Sequence, residues 1–431
     1  MRLSTVAFAA LAVLATGCLD NQQIGPMAAP AGGTNFRGYI ALGTSISAGV
    51  QSGGISDATQ RQAFPYLLAT AMGFSPNANW YYPGFTAPGC PAPYSDPLTG
   101  DRVGGGNDSS GAGAACNLIS PLSVPGKQGW FNNLGVPSLR AAQVLNIQDV
   151  THPATDTLFL AQFITGSRNP IDILYAARPA FVTLEIGGND VLSAATEADT
   201  TLLTPVAAFE TQFAAIADTI GLTGAKVAVI NIPNVTVIPH FSVGVILFCL
   251  SHHGCPAPLP DTTAPYTSPN FAVDPSCAPS ALGGVGDSML VTFPAIATIT
   301  GALSRGAAAY LNCGTGQATV NFGTANLPAG AVLTKATVKA IVTRILTLDA
   351  YIQAQATTRG WALVDFNGLL AANAALIPPF PLFTPGPPPA VSFGPLVSLD
   401  GIHPTAAGHK AIADAFVAAI NAKYGTTLTP P

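Results

Sequence analysis

The segment FVTLEIGGND, residues 181–190, determines which fold we expect for this chain. Its FVTLEI half is an apolar, partly β-branched run that stops at two glycines, which predicts a buried strand. Thr204-Pro205 then supplies an N-cap and a proline at the first position of a helix. The run KVAVINI, residues 226–232, predicts the next strand. Strand, helix and strand in this order predict a βαβ unit in a parallel sheet with a right-handed crossover.

The same alternation continues on both sides of this unit. Further strands are predicted at residues 36–42 (FRGYIAL) and 361–366 (WALVDF), and further helices at 64–72, 138–147, 334–357 and 405–424. Two loop-rich regions interrupt the alternation, at about residues 83–130 and 238–330, and they hold every cysteine except Cys18. We therefore expect one α/β domain over residues 36–428 with two insertions, the second of which is an insertion or small subdomain.

The composition is apolar for a soluble protein, with 48% hydrophobic and 9% charged residues in a chain of 431. A typical globular chain is about 25% charged. Beyond the N-terminus, no apolar stretch reaches the 18 or so residues that span a bilayer. The net charge is −5 and the chain has no basic run. This balance argues against a nucleic-acid partner.

The first 18 residues have the features of an export signal. Met1-Arg2 precedes an apolar core at residues 3–15, and small residues lead to Cys18. This pattern fits a signal peptide, and its end resembles a bacterial lipobox, in which Cys18 would be lipidated. The alternative is an ordinary secretory signal cut nearby. We expect a lipid-anchored protein of the bacterial cell envelope, at the outer membrane or the periplasmic side, with residues 19–35 as a flexible tether.

The six remaining cysteines also favour export. An even number in an exported chain suggests disulfides, although six cysteines allow 15 pairings. Cys90 with Cys116 is the first pairing we consider, because both lie in one loop-like region. The alternative is a metal site formed by Cys249, His252, His253 and Cys255. Their spacing is not that of a structural zinc site.

Asp400-Gly401-Ile402-His403 carries the clearest chemical signal of the chain. A carboxylate three residues before a histidine can accept a hydrogen bond from one ring nitrogen, which leaves the other nitrogen free to act as a base at neutral pH. A hydroxyl for that base to activate stands near the other end of the chain. Ser45 follows Gly43-Thr44 directly after the first predicted strand.

Four short blocks stand in a defined order along the chain: Gly43-Thr44-Ser45, residues 132–138 (NNLGVPS), Gly187-Gly188-Asn189-Asp190, and Asp400-Gly401-Ile402-His403. Together they resemble the SGNH (GDSL-type) hydrolase family. The resemblance covers most of residues 36–424 outside the two insertions. It implies a three-layer α/β/α fold with a central parallel sheet, flavodoxin-like in topology.

The resemblance also implies a role for each block. Ser45 would be the nucleophile, His403 the base and Asp400 the group that orients it. The oxyanion would be bound by the backbone N–H of Ser45, the side-chain amide of Asn189 and a backbone N–H of the second block. The family has a glycine at the position of that last donor, which here is Ser138; Gly135 is the alternative donor.

Several residues depart from the family's pattern or have a structural interpretation. The family usually has Asp where this chain has Thr44, which keeps a hydroxyl for local hydrogen bonding. We expect Ser47 to start a helix or pack, Asp190 to hold its loop, and His409 to lie at the surface. The apolar, proline-rich residues 371–398 lead into the Asp400 turn and suggest an acyl-binding groove.

These observations predict a serine hydrolase of carboxylic esters, with lipid or aliphatic esters favoured. It acts through an acyl-enzyme and needs no metal or cofactor. The expected partners are a small ester or acylated molecule and, through the anchor, a membrane; we expect a monomer. A carbohydrate O-deacetylase is the alternative of the same chemistry. A lipid-anchored binding protein on a hydrolase scaffold is the alternative without chemistry.

Overall fold

A computed structural model describes residues 30–76, 78–97, 99–106, 129–149, 155–251, 270–321, 325–326, 331–378 and 393–431. Predictions for the signal peptide, Cys18 and most of the tether lie outside these residues. Within them, no helix is both long and apolar enough to span a membrane.

The chain alternates strands and helices. The strands are β1 (Ile40–Gly43), β2 (Tyr94–Asp96), β3 (Asp101–Arg102), β4 (Asn133–Gly135), β5 (Phe181–Glu185), β6 (Lys226–Ile230), β7 (Phe241–Val243), β8 (Phe271–Val273), β9 (Leu290–Thr292), β10 (Ala308–Asn312), β11 (Gln317–Asn321), β12 (Ala325–Asn326), β13 (Val332–Leu333) and β14 (Ala362–Val364). The α-helices are α1 (Ser45–Ala48), α2 (Asp57–Gln60), α3 (Phe64–Ala71), α4 (Ala141–Leu145), α5 (Thr155–Ile164), α6 (Pro170–Ala177), α7 (Asn189–Thr196), α8 (Val206–Gly221), α9 (Gly244–Ser251), α10 (Phe293–Ser304), α11 (Lys335–Arg359), α12 (Phe366–Ala372) and α13 (Ala406–Tyr424).

The central sheet has five strands in the order β14-β6-β5-β1-β4. Every neighbouring pair in it is parallel. By order along the chain the strands read 5-4-3-1-2, which is the flavodoxin-like order read from the other edge. The predicted α/β fold with a central parallel sheet is therefore confirmed. Parallel strands end at one edge, so the loops after β1 and β5 meet there.

Both faces of the sheet are buried, as a parallel sheet requires. Successive side chains of a strand point to opposite faces. Ile40 and Leu42 of β1 belong to the larger core, which also takes side chains from α4 to α8 and α11. Ala41, between them, belongs to the core formed with α3 and α13. The molecule is thus a three-layer α/β/α structure.

Residues 238–333, which include the second predicted insertion and which we call the subdomain, contain two further sheets. One has three strands (β13-β9-β7) and the other four (β12-β11-β10-β8). Apolar side chains from α9, α10 and these strands pack into a separate cluster. A disulfide joins Cys277 to Cys313, with their Cα atoms 4.9 Å apart.

Cys90 and Cys249 are also bound in disulfides. The pairing of Cys90 with Cys116 stays a prediction, because Cys116 lies outside the described residues. The alternative metal site loses one of its ligands, because the Cys249 sulfur is bound in a disulfide. Among the described residues, no group of three or more His, Cys, Asp or Glu side chains could hold a metal ion.

Three predictions about the fold were wrong in detail. The helix expected at 138–147 begins only at Ala141, because Ser138 has a left-handed φ of 61°. Residues 30–35 are not a free tether: the Gly32 N–H donates to the Met72 carbonyl at 2.9 Å, so the domain begins before residue 36. His409 is fully buried rather than at the surface.

Candidate active site

Ser45 stands at the point where β1, the strand next to the edge strand β4, turns into a helix. β1 ends at Gly43, Thr44 occupies the N-cap position of α1 and Ser45 is the first helical residue. The turn is tight, because a Cβ at Gly43 would lie 1.9 Å from the Ser47 hydroxyl oxygen. Ser45 is 8% exposed, so its hydroxyl lies in a nearly closed position at the carboxyl edge of the sheet.

The segment from Asp400 to His403 forms a tight turn before α13. The Asp400 carboxylate accepts the backbone N–H groups of Ile402 and His403, both at 2.8 Å. Gly401 has a φ of 72°, and a Cβ there would lie 2.9 Å from the backbone nitrogen of His240. The turn therefore requires glycine at 401 for its backbone angle and for the close approach of residue 240.

The structure brings Ser45, His403 and Asp400 into one hydrogen-bonded line. The Ser45 hydroxyl oxygen lies 2.9 Å from His403 Nε2. On the other side of the ring, Nδ1 lies 2.7 Å from a carboxylate oxygen of Asp400. An ionised carboxylate only accepts, so Nδ1 carries a proton. In the neutral ring Nε2 is then the acceptor for the Ser45 O–H.

Asp400 is held as an anion in spite of its burial; its side chain is 9% exposed. Burial by itself raises the pKa of this carboxyl, but electrostatic attraction to His403 and hydrogen bonds to the carboxylate outweigh burial and hold the pKa well below its usual range. Donors outside its own turn are the Gly53 N–H at 2.5 Å and the Ser398 hydroxyl at 3.2 Å. The loop after α1 thus ties the Asp400 turn to the Ser45 turn.

Asn189 lies at the same edge of the sheet as Ser45. It is the first residue of α7, separated from the end of β5 by three residues, and β5 pairs with β1 so that Gly43 lies opposite Glu185. Its side-chain nitrogen donates one hydrogen to the Leu139 carbonyl at 3.0 Å. An amide nitrogen carries two hydrogens, so one remains for a ligand in the cleft that Asn189 and Ser45 both line.

The backbone donors expected for the oxyanion differ in their availability. Within the described residues, the N–H groups of Ser45 and Ser138 have no hydrogen-bond acceptor. The Gly135 N–H donates to the Asn133 side chain at 3.0 Å. A Cβ at Gly135 would also lie 2.4 Å from the Ala48 nitrogen, so this residue is packed under α1. Of the two backbone donors considered in the second block, the Ser138 N–H is therefore the more available, because the Gly135 N–H already has an acceptor.

Ser138 adopts the left-handed conformation that a glycine takes easily. Its φ is 61°, and Leu139 after it accepts the hydrogen bond from Asn189. The backbone of this segment is therefore compatible with the glycine that the resemblance implies here. The N–H of residue 138 remains a candidate donor beside Asn189.

Glu185 is a buried carboxylate beneath Ser45 that we did not single out in the sequence. It accepts the Thr44 N–H and hydroxyl, both at 2.8 Å. It also accepts the Ser47 N–H at 3.2 Å and the Ser47 hydroxyl at 2.9 Å. Burial raises its pKa, although these hydrogen bonds oppose the shift. The signal for it was a charged residue at the end of an apolar strand, since such a residue needs buried partners.

Asp190 holds its loop, as its sequence context suggests. Its carboxylate accepts the Thr204 hydroxyl at 2.8 Å and the Ala141 N–H at 3.1 Å, and its side chain is fully buried. Burial raises the pKa of Asp190 to about 6. The buried His409 accepts the Phe64 N–H at 3.4 Å, and burial lowers its pKa to about 3. These contacts give both residues structural roles.

His240 joins the subdomain to the Asp400 turn. Its N–H donates to the Gly401 carbonyl at 2.9 Å, and its Nδ1 lies 3.2 Å from the Asp400 carbonyl oxygen. Its own carbonyl accepts the Phe293 N–H at 2.8 Å, at the start of α10. No spacing in the sequence points to this contact, because residues 240 and 401 meet only in the folded chain.

The cleft beside Ser45 and His403 is mostly apolar. Its walls include Leu192 of α7, Ile238, Leu370 of α12 and Ile402. The expected groove at residues 371–398 contributes Asn373, Ile377, Leu396 and Val397; residues 379–392 lie outside the described part of the chain. An ester with an aliphatic acyl chain fits such a lining, because burying methylene groups is favourable.

Comparison with known proteins gives little further information. No protein-family model matches the chain, and no curated protein does. Among solved structures it is similar to the extracellular lipase from Streptomyces rimosus, with 14% identity and a TM-score of 0.35 over 88% of this chain and 98% of that chain.

Proposed function

We propose that this protein is a serine hydrolase that cleaves carboxylic esters through an acyl-enzyme. The observation that carries the proposal is the hydrogen-bonded line of Ser45, His403 and Asp400, with spacings of 2.9 Å and 2.7 Å. A serine hydroxyl within reach of a base that is itself oriented by a third group is the arrangement of nucleophilic catalysis.

Acylation begins with attack of the Ser45 hydroxyl oxygen on the ester carbonyl. His403 Nε2 takes the hydroxyl proton, and Asp400 stabilises the imidazolium that forms. The carbonyl oxygen becomes an oxyanion, which the N–H groups of Ser45 and Ser138 and the free hydrogen of the Asn189 amide would bind. When the tetrahedral intermediate collapses, His403 returns the proton to the leaving alcohol.

Deacylation repeats these steps with water in place of the serine. His403 accepts a proton from the attacking water, the acyl–oxygen bond to Ser45 breaks, and Ser45 regains its proton from His403. The products are the alcohol and the carboxylic acid. Each proton moves through His403.

The cleft favours aliphatic esters over acylated carbohydrates. Leu192, Ile238, Ile402 and Leu370 line it, while a sugar ring needs hydrogen-bond partners for its hydroxyl groups. The second candidate, a binding protein without chemistry, has less support. The two departures from the family's pattern, Thr44 and Ser138, would favour it, yet Thr44 is hydrogen-bonded to Glu185 and the backbone at Ser138 has a glycine-like conformation.

The proposal includes export and a lipid anchor at Cys18. Disulfides form and persist outside the cytoplasm, and the Cys277–Cys313 bond supports that location. The anchor itself rests on the lipobox-like end of the signal sequence. Labelling of expressing bacteria with a palmitate analogue tests it: the wild-type protein takes up the label and Cys18→Ala does not.

Hydrolysis of p-nitrophenyl butyrate tests the proposed chemistry. We expect turnover by the wild-type protein and a fall of about 10³-fold or more in kcat for Ser45→Ala, since the nucleophile is lost. Ser95→Ala, at an exposed serine of β2, is the matched control and keeps the wild-type rate. Equal rates for wild type and Ser45→Ala would exclude the mechanism. Release of acetate from a panel of acetylated sugars tests the deacetylase alternative.

A further inference from the structure

A second apolar cavity, open to solvent beside the exposed side chains of Val237 and Leu346, lies behind the wall of the cleft that contains Ser45. It is bounded by α11, through Val342 and Ile345, and by Ala371 and Ala374 at and beyond the end of α12. Neither Ser45 nor His403 lines it. The proposed hydrolysis therefore does not use this cavity directly.

Leu370 and Ile377 line both spaces. Leu370 is in the last turn of α12, and Ile377 follows the short 3₁₀ turn Ala374–Leu376. Both side chains are half-buried. They form the partition between the cleft and the second cavity.

Other residues of α12, and Asn373 just after it, each line one of the two spaces. Leu369 and Asn373 line the cleft, whereas Asn367 and Ala371 line the second cavity. Because these positions alternate around one helix, the two cavities lie on its two sides. Removing part of Leu370 would join them.

Polar contacts at its N-terminal end hold α12 in place. The Asn367 side chain donates to the Ile232 carbonyl at 2.9 Å and to Asp349 at 3.0 Å, and it accepts the Asn234 N–H at 2.7 Å. A change of Leu370 leaves these contacts intact. The partition can therefore be altered without releasing the helix.

Building on the proposed ester hydrolysis, we propose that Leu370 and Ile377 set the acyl length that the cleft accepts. They separate the cleft from the second cavity, into which the end of a longer aliphatic acyl chain would extend if this partition were opened. Each methylene buried in apolar surroundings strengthens binding about fourfold. Opening the partition should therefore favour long chains and leave short ones unaffected, since a short chain does not reach it.

A chain-length series of p-nitrophenyl esters, from butyrate to hexadecanoate, tests this proposal. For Leu370→Ala we expect the ratio of kcat/KM for dodecanoate to that for butyrate to rise about tenfold or more. Ile377→Ala should shift the ratio in the same direction. Leu222→Ala, an exposed leucine after α8, is the matched control and keeps the wild-type ratio. Melting temperatures verify that each variant is folded.

A double variant shows where the long chain goes. In Leu370→Ala/Val342→Phe the new ring fills the second cavity from α11, and the ratio should return towards the wild-type value. A ratio that stays high in the double variant would show that the chain does not enter this cavity. If Leu370→Ala and Ile377→Ala are folded and active but keep the wild-type ratio, these residues do not limit the acyl length and the proposal is wrong. If no ester is hydrolysed even by wild type, the proposed function itself fails.

Discussion

Thr44 donates its N–H and its hydroxyl to the two carboxylate oxygens of Glu185, each at 2.8 Å, directly before Ser45 in the chain. Ser47 adds its own N–H and hydroxyl to the same carboxylate. Hydrogen bonds to Glu185, at the end of β5, therefore hold the turn that carries Ser45 on both sides of the serine. Glu185 is a positioning residue, because it acts on Ser45 through the backbone of this turn.

We predict that Glu185→Gln impairs kcat more than KM. A carboxamide has one acceptor oxygen and an NH2 group that would face donors, so part of this network is lost. The free energy of unfolding should fall by about 1–3 kcal/mol. Kinetics with p-nitrophenyl butyrate and urea unfolding measure both effects. Glu210→Gln, on α8, is the matched control. A folded Glu185→Gln with wild-type kcat would contradict the positioning role.

We predict that Asn189→Ala lowers kcat about 10²–10³-fold with little change in KM, because an oxyanion donor acts mainly in the transition state. Asn35→Ala, at an exposed asparagine that accepts a hydrogen bond from Lys226 at 3.0 Å, is the matched control. Steady-state kinetics on both variants measure kcat and KM separately. A loss confined to KM would instead assign Asn189 to substrate binding.

Much of this arrangement could be predicted from local sequence. The strands at β1, β5, β6 and β14 are apolar runs that end at polar or glycine residues, and the long helix α11 has regular apolar spacing. The DGIH turn is also visible, because Asp400 and His403 are close in the chain. The proposed triad was predicted from short motifs of this kind.

The remaining features depend on contacts distant in the chain. β4 has the sequence NLG and no apolar pattern; its place at the sheet edge is supported by the Asn132 side chain, which donates to the Tyr39 carbonyl at 3.0 Å. The burial of His409 follows from the packing of α13 on α3. Neither local propensity nor periodicity predicts contacts between segments so far apart in the chain.

Gly401 and Gly360 offer a matched pair of substitutions. Both have a left-handed φ, 72° and 69°, but a Cβ at Gly401 would meet His240 whereas at Gly360 it would meet nothing within 4 Å. We predict that Gly360→Ala costs about 1 kcal/mol of stability and leaves kcat unchanged. Gly401→Ala should cost more and lower kcat, since it displaces the turn that carries His403. Equal effects on stability and kcat in the two variants would contradict the claim that the turn at Gly401 positions His403.

Asp400 should also control stability in acid. Its pKa in the folded protein is lowered, mainly by His403 against the opposing effect of burial. Its stabilisation is therefore complete above the unfolded-state pKa of about 3.9 and is lost as pH falls through the folded-state pKa. We predict that the free energy of unfolding falls more steeply below about pH 4 in wild type than in Asp400→Asn. Parallel curves from urea titrations would contradict the anionic role of Asp400.

Labelling with a fluorophosphonate, followed by peptide mapping, tests the central claim most directly. The reagent forms a stable bond with a serine that is activated as a nucleophile. We predict a single labelled residue, Ser45, with labelling abolished in His403→Ala because the base is gone. Labelling of a different serine, or unchanged labelling of Ser45 in His403→Ala, would contradict the assignment of Ser45 and His403 as nucleophile and base.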